Sequence, residues 1–555
     1  MFKKYFFFFI LILVLGACSS KTGEKIRKYR DVYAQGDFEK AQSLLDSSGL
    51  KKEKNSELLW HLEKGTLALA RGDENTAIVD FQTSLDLIDR LFTTKLTKKA
   101  ASLFINDASD DFYGASYERS YAHYFLAKAY YQRYQKTKTK LDLQGARGTI
   151  LAWDSYFAEL QRSASAKTIY QTDLMLKVFG GQIHEVSEIS NDKQIALQLY
   201  KDALRILELQ GGAFSLFNSK SADYVKTYEE AVKEDKAPSQ KNYDKTAAYQ
   251  DLKNYLHYKV LSLTKEIRGS DFAVQLKSLS PQSDVLKKVE TGKSNVTIVI
   301  EEGLVPAKVG KPFNFGIKGA MAATDDKKVQ SFIATVGSDL IASFAMNKLG
   351  MAPSNTSNPG SFLFAHQVTK LAVQEAAVEF ELPMIENVPL VQRLQVFVLD
   401  SKGVIIAQSP LPVISENGDI ARIVLEEDVV SRYVKTGTRV ALKHLTAIVA
   451  AMTVYQTING KNGNGGDFLA KAAALATYVG ASKGIAMFEK ADTRYWSTLP
   501  QALRMMEFKL APGDYEIGIA LYTGDKAPAA PSKVLGKVAV DKSGKTINIL
   551  TFSKL

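Results

Sequence analysis

Cys18 is the sole cysteine of the 555-residue chain, and its neighbours make it the side chain best placed for covalent chemistry. Small residues, Gly16 and Ala17, precede it, and Ser19 and Ser20 follow. Further upstream, Lys3 and Lys4 form a short positive run and residues 5–15 are unbroken apolar sequence. That run is too short to cross a bilayer, which takes about 20 apolar residues. Basic residues, a short apolar run and then small residues are the order of a cleaved export signal. A plain secretion signal would leave one unpaired thiol on an exported chain, which has little use for it.

The run Leu15-Gly16-Ala17-Cys18 resembles the lipobox of bacterial lipoproteins. The resemblance implies a signal peptide over residues 1–17, a diacylglyceryl group on the Cys18 sulfur, a palmitate-type acyl chain on its amine, and a lipidated tether over 18–23. Several acyl chains hold firmly, because each buried CH2 contributes about 0.8 kcal/mol. No Asp follows Cys18, which in that family implies the outer membrane, facing the periplasm.

Other chemistry finds less support. Ser48-Gly-Leu-Lys51, Ser415-Glu-Asn417 and Lys435-Thr-Gly437 resemble, in order, the three motifs of penicillin-recognising enzymes. Such an enzyme needs its Ser at the start of a buried helix beside the Lys. Here Ser48 is expected on an exposed turn ending a helical repeat, so the match is set aside as chance. Gly292-Lys-Ser and Gly544-Lys-Thr end like phosphate loops, but Lys287 and Ala539 stand where the leading Gly is required. The six His residues are scattered and no HExxH occurs, so neither a metal nor another cofactor is expected.

The elements that would position a site fall into two kinds. Gly65, Ala68, Gly72, Ala77, Phe81 and Ser84 carry the small-and-aromatic spacing of a tetratricopeptide repeat. Gly36, Ala41 and Leu45 repeat it 36 residues earlier, close to the ~34-residue period of that repeat. A looser third copy sets Ala127 and Tyr130 at the Gly65 and Ala68 positions, with its second helix expected near 144–160 after a polar Lys/Thr loop at 135–140. Stripes at 195, 199, 203, 206 and 207 and at 252, 255, 256 and 263 extend the helical pattern to about residue 280. On a repeat solenoid the first helices line a concave groove. Carrying those positions onto the third copy selects Tyr121, Tyr124, Lys128 and Tyr131 as a partner-binding groove, with inter-helix packing as the competing role of the tyrosines. Residues 281–294, opening on Pro281, read as a linker.

Beyond it the period falls to two. Residues 295–300, 394–399, 404–408, 421–425, 505–510, 515–521, 534–540 and 546–552 read as strands. Turn sequences at 511–514 and 541–544 should each close a hairpin. Helical segments at 327–349, 362–380, 440–457 and 468–488 interrupt the strands, the last two joined by the Gly-rich stretch 460–466. The expected fold class is therefore α+β multidomain: a tetratricopeptide-like α-solenoid over 24–280, then a β-sandwich-like domain with helical insertions over 295–555.

Asp492, Arg494, Trp496, Leu499, Pro500, Pro512, Gly513 and Tyr515 form a pattern that resembles a family of bacterial envelope lipoproteins without an assigned activity. The resemblance covers the lipobox and the repeats, and is loose over 300–490. It implies envelope protein partners, including lipoproteins of peptidoglycan synthesis. Trp496 is expected to plug the sandwich, with Asp492 and Arg494 paired at its mouth. Composition agrees with an ordinary globular protein, 46% hydrophobic and 24% charged, with a net charge of +11. No Lys/Arg stripe is interleaved with aromatics, so nucleic acid is not an expected partner. The expectation is a non-enzymatic, membrane-anchored scaffold. A glycan- or cell-wall-binding module, or an envelope enzyme of that kind, is the alternative, suggested by the charge and the tyrosines.

Overall fold

The computed structural model describes residues 18–98, 110–162, 170, 172–187, 190–209, 245–314, 379–385, 391–427, 490–541 and 545–551, and a few isolated positions between 428 and 489. The protein is a mixed α+β structure, with helices packed in pairs followed by sheets whose strands run mostly antiparallel.

The helical pairs are α1 (Cys18–Ala34) with α2 (Phe38–Ser47), α3 (Glu57–Ala70) with α4 (Glu74–Lys98), α5 (Ser116–Thr137) with α6 (Lys140–Arg162), and α7 (Leu174–Glu185) with α8 (Ser190–Leu209). Then come α9 (Lys245–Ile267), α10 (Phe272–Leu279) and α11 (Ser283–Thr291). The repeated Gly-Asp dipeptide does the same work twice. Gly36 and Gly72 take φ of +78° and +75°, the left-handed conformation that Gly adopts without strain. Asp37 and Asp73 then accept from the Lys40 and Thr76 amides at the start of the next helix. Ala41 and Ala77 are fully buried, as are Leu45 and Phe81 at the matching positions.

Close pairing rests on glycines facing aromatic rings. A Cβ on Gly65 would lie 2.8 Å from Phe81, one on Gly145 2.8 Å from Tyr130, and one on Gly181 2.7 Å from Tyr200. These pairs join α3 to α4, α6 to α5 and α7 to α8. Gly65→Ala is expected to cost about 1–3 kcal/mol through forced separation of α3 from α4, readable as a lower urea midpoint.

Two helical expectations are corrected. The polar loop at 135–140 is the end of α5 and a tight reversal, with Lys138 at φ 57°. The linker at 281–294 is mostly α11, whose Val285 and Val289 bury themselves against Tyr258 and Leu261 of α9. Their i,i+4 spacing puts both on one face. Ile195 is partly exposed; the buried stripe of α8 runs through Ala196, Tyr200, Ala203 and Leu207.

The strands are β1 (Val296–Glu302), β2 (Lys308–Asn314), β3 (Glu379–Ile385), β4 (Leu394–Asp400), β5 (Ile405–Pro410), β6 (Val413–Glu416), β7 (Ala502–Phe508), β8 (Gly513–Leu521), β9 (Lys533–Val540) and β10 (Lys545–Thr551). They form one sheet in the order β10-β1-β7-β6, another in the order β5-β4-β8-β9, and the pair β2-β3. Only β1 and β10 run parallel among these pairings. The expected strand at 421–425 is instead part of helix α12 (Asn417–Glu427). The two expected hairpins are crossings between sheets. The turn at 511–514 leads from β7 of the first sheet to β8 of the second, and the chain beyond β9 returns to the first. At the earlier crossing the Tyr515 hydroxyl donates to the Ala511 carbonyl at 2.8 Å. Residues 379 and 380, expected at a helix end, open β3, whose pairing partner β2 had no sequence forecast. The remainder of the expected helices at 327–349, 362–380, 440–457 and 468–488 lies outside the described residues, apart from isolated positions.

Candidate functional site at the inner helical face

In the β1–β7–β6 register Glu301 stands opposite Leu503, which in turn faces Ser415, and Glu507 faces Thr297. Alternation therefore sets Ser415, Glu301 and Glu507 on one pleat face of the sheet, and all three are buried. That face meets the helices, and each polar group is taken by a tyrosine. Tyr121 donates to Ser415 Oγ at 2.5 Å, Tyr124 to Glu301 Oε1 at 3.2 Å, and Tyr255 to Glu507 Oε1 at 3.3 Å.

Both glutamates also meet a lysine one helical turn beyond its tyrosine. Lys128 bonds Glu301, and Lys259 bonds both oxygens of Glu507 at 2.8 Å and Glu185 at 2.5 Å. The spacing Tyr124-x3-Lys128 on α5 recurs as Tyr255-x3-Lys259 on α9, and i,i+4 places each pair on one helix face. Burial pulls the Lys259 ammonium down, but Glu185 and Glu507 together outweigh it and hold it above its ordinary value. Burial also raises the Tyr124 and Tyr255 phenols, aided by Glu301 and Glu507 respectively.

The expected groove residues thus have other work. Tyr121, Tyr124, Lys128 and Tyr131 are all buried, at 0 to 4% exposure. The first three grip the protein's own sheet, and Tyr131 packs edge-on to Phe179 of α7. They do not line an open groove, because the strand region occupies the surface that a partner would need.

A second part of the inner face holds a non-regular segment, residues 492–500, which turns at 497–499. Trp496 is fully buried there between Phe81 and Phe125, with ring centroids 6.0 and 5.1 Å away, and its indole N–H donates to Thr66 Oγ1 at 2.9 Å. This corrects the expected sandwich plug: the ring fills the space between α3, α4 and α5. Main-chain groups are read by charged side chains. Glu118 accepts from the Trp496 amide at 2.7 Å, and Glu63 from the Ser497 amide and the Thr498 hydroxyl, both at 2.6 Å. Arg30 donates to the Ser497 and Val305 carbonyls at 3.2 and 2.9 Å. The Asp492–Arg494 pair forms as expected, bidentate at 2.9 Å, and Arg494 also donates to the Asn55 and Asp110 carbonyls at 2.8 Å. It therefore sits against the helical loops rather than at the mouth of a sandwich. Glu63, Glu118 and Arg30 had no sequence forecast.

The serines of the first two motifs each have other partners. Ser48, expected exposed, is buried; it donates to the Leu45 carbonyl and accepts from the Leu50 amide. Lys51 lies over the Trp60 ring. Ser415 serves Tyr121 and Asn417, whose side chain reaches the Pro500 carbonyl at 2.9 Å. Lys435 lies outside the described residues. Among the described residues no group of three or more His, Cys, Asp or Glu could hold a metal ion, and no helix is long and apolar enough to cross a membrane. Helix α1 begins at Cys18 itself. No family model, no curated protein and no solved structure matches the chain.

Proposed function

We propose that the protein is a cell-envelope lipoprotein, anchored through lipid on Cys18 at the periplasmic face of the outer membrane, and that it acts as a non-enzymatic protein-interaction scaffold. In this reading the helical pairs are a tetratricopeptide-like solenoid and the two four-stranded sheets are a sandwich-like body docked on it. The observation that carries it is the reading of a non-regular segment by the inner helical face, with Glu118 and Glu63 on successive amides and Trp496 as anchor. Side chains on helices taking main-chain groups of a bound segment is how a repeat groove recognises protein. Here the ligand is the protein's own.

Envelope partners, including peptidoglycan-synthesis lipoproteins, would then meet the outer helices. There Val79 of α4 and Leu151 of α6 are exposed apolar residues. A glycan site built on Tyr121, Tyr124 and Tyr131 is disfavoured, because all three are buried. Photo-crosslinkers at Val79 and Leu151 in living cells are expected to capture envelope proteins, with none captured from Tyr131. Empty lanes at both outer positions would overturn the scaffold reading. The anchor has its own test: Cys18→Ala should move the protein from the membrane to the soluble fraction, and retention of that variant in the membrane would remove the lipid from the account.

A further inference from the structure

The segment 494–499 closes over a carboxylate that no cation among the described residues neutralises. Glu63 is fully buried on α3, and no ion pair of the described residues includes it. Its oxygens accept from the Ser497 amide and the Thr498 hydroxyl. Hydrogen bonds from Thr498, Ser497 and the Tyr29 phenol favour its charged form, and the groups around it add no unpaired cation. From α1 come the buried phenols of Tyr29 and Tyr33, both raised by burial, the first with Glu63 as the next cause. The Arg30 guanidinium on the same helix is spent on the Ser497 and Val305 carbonyls. On α5, Glu118 is a second carboxylate, and Lys128 is paired with Glu301 of β1. Tyr495, within the segment, is pushed up to about 12 by burial.

We propose that this clasp is proton-coupled: residues 494–499 close on the helices with Glu63 protonated, and ionisation of that carboxyl favours their release. The geometry accommodates the protonated form, at the cost of the acceptor for the Thr498 hydroxyl hydrogen. A proton on Oε2 can be donated to Thr498 Oγ1, while Oε1 continues to accept from the Ser497 amide. The inference concerns the chain's own segment; it rests on the scaffold reading only in that release would uncover the recognising face.

Burial pushes the Glu63 carboxyl up to about 7, against the hydrogen bonds from Thr498 and Ser497, and exposure on opening returns it toward the ordinary 4.5. Between those values the closed form binds more protons than the open one. Closure is therefore strongest below about pH 4.5, weakens as pH rises through the window, and levels off above about 7. Opening should increase on the order of 50-fold from pH 5 to pH 8.

Hydrogen exchange of the full chain across that range, corrected for intrinsic rates, reads this directly. Protection of the Trp496 and Ser497 amides should fall by about that factor, while the central strand β4 keeps its own. Glu63→Gln, a neutral isostere of the protonated form, should make the profile flat. Thr498→Val keeps the carboxyl but removes a hydrogen bond favouring its ionised form, so the midpoint should move to higher pH. A flat wild-type profile, an unchanged slope in Glu63→Gln, an unmoved midpoint in Thr498→Val, or parallel loss in β4 would each overturn the proposal. The measurement involves no partner, so its outcome is independent of whether the crosslinkers at the outer helices capture a protein.

Discussion

Trp496→Ala is expected to lower stability by about 3–5 kcal/mol, the range for truncating a buried Trp. Three separate losses combine. The ring leaves a cavity between Phe81 and Phe125, the two aromatic contacts disappear, and Thr66 Oγ1 loses the indole donor. Thr66 still donates to the Leu62 carbonyl at 2.8 Å, so no unsatisfied hydroxyl hydrogen is added. The main-chain amide at the substituted position would still donate to Glu118, so the cost is mainly packing. Trp496→Phe should therefore recover part of it, retaining one ring but losing the N–H and the rest of the indole, for a deficit of about 1–3 kcal/mol. Urea unfolding followed by circular dichroism measures both. A loss below about 1 kcal/mol for the Ala variant would mean that the segment is not anchored by this side chain.

That Trp496 mattered could be read in the sequence, but its surroundings could not. A Trp flanked by Arg494 and Leu499-Pro500 announces an anchored, non-regular segment, while nothing local tells which body receives it. The turns at 511–514 and 541–544 show the same limit. Pro, Gly and Asp mark where a chain reverses, yet sheet membership is decided by partners hundreds of residues away. Repeats were legible because each pair is local: Gly72 turns the chain, and Gly65 meets Phe81 within 16 positions. The run from Ala421 to Leu425 failed for another reason. A short β-branched, apolar stretch suits a buried strand or a buried helix equally well, and length and context decide.

Glu301 and Glu507 were the hardest to place. A glutamate in an alternating strand reads as a solvent-facing residue, and only its partner shows otherwise. The signal that existed was the doubled Tyr-x3-Lys spacing, 124 with 128 and 255 with 259. Tyr124 and Lys128 were expected on a common surface, and they share one. The error lay in the occupant, because a groove's recognising residues and a domain interface's recognising residues are chemically alike.

Lys128→Met provides the sharpest test of that interface, with an expected loss of about 3–5 kcal/mol. The substitution keeps the length of the side chain but strands the Glu301 carboxylate beneath the helices, with only Tyr124 as a donor. Lys128 is 5% and Glu301 3% exposed as side chains, so water cannot take over the missing charge. Replacing both, as Lys128→Met with Glu301→Leu, removes the stranded charge as well as the pair. The double variant should then lie within about 1 kcal/mol of the wild type or above it, since desolvating two ions offsets most of their attraction. In a double-mutant cycle the two single losses would greatly exceed the combined one. Simple additivity would show that the two side chains do not meet across the helix–sheet boundary, and the docking of α5 on β1 would have to be abandoned. Tyr124→Phe discriminates further. With Lys128 present it should cost about 1–2 kcal/mol, the worth of a hydrogen bond to a charged acceptor. In the Lys128→Met background it should cost more, because the phenol is then the last donor on a buried carboxylate. The helical inner face would thereby be shown to hold the sheet by a few charged and phenolic contacts, which is the same chemistry by which it holds residues 494–499.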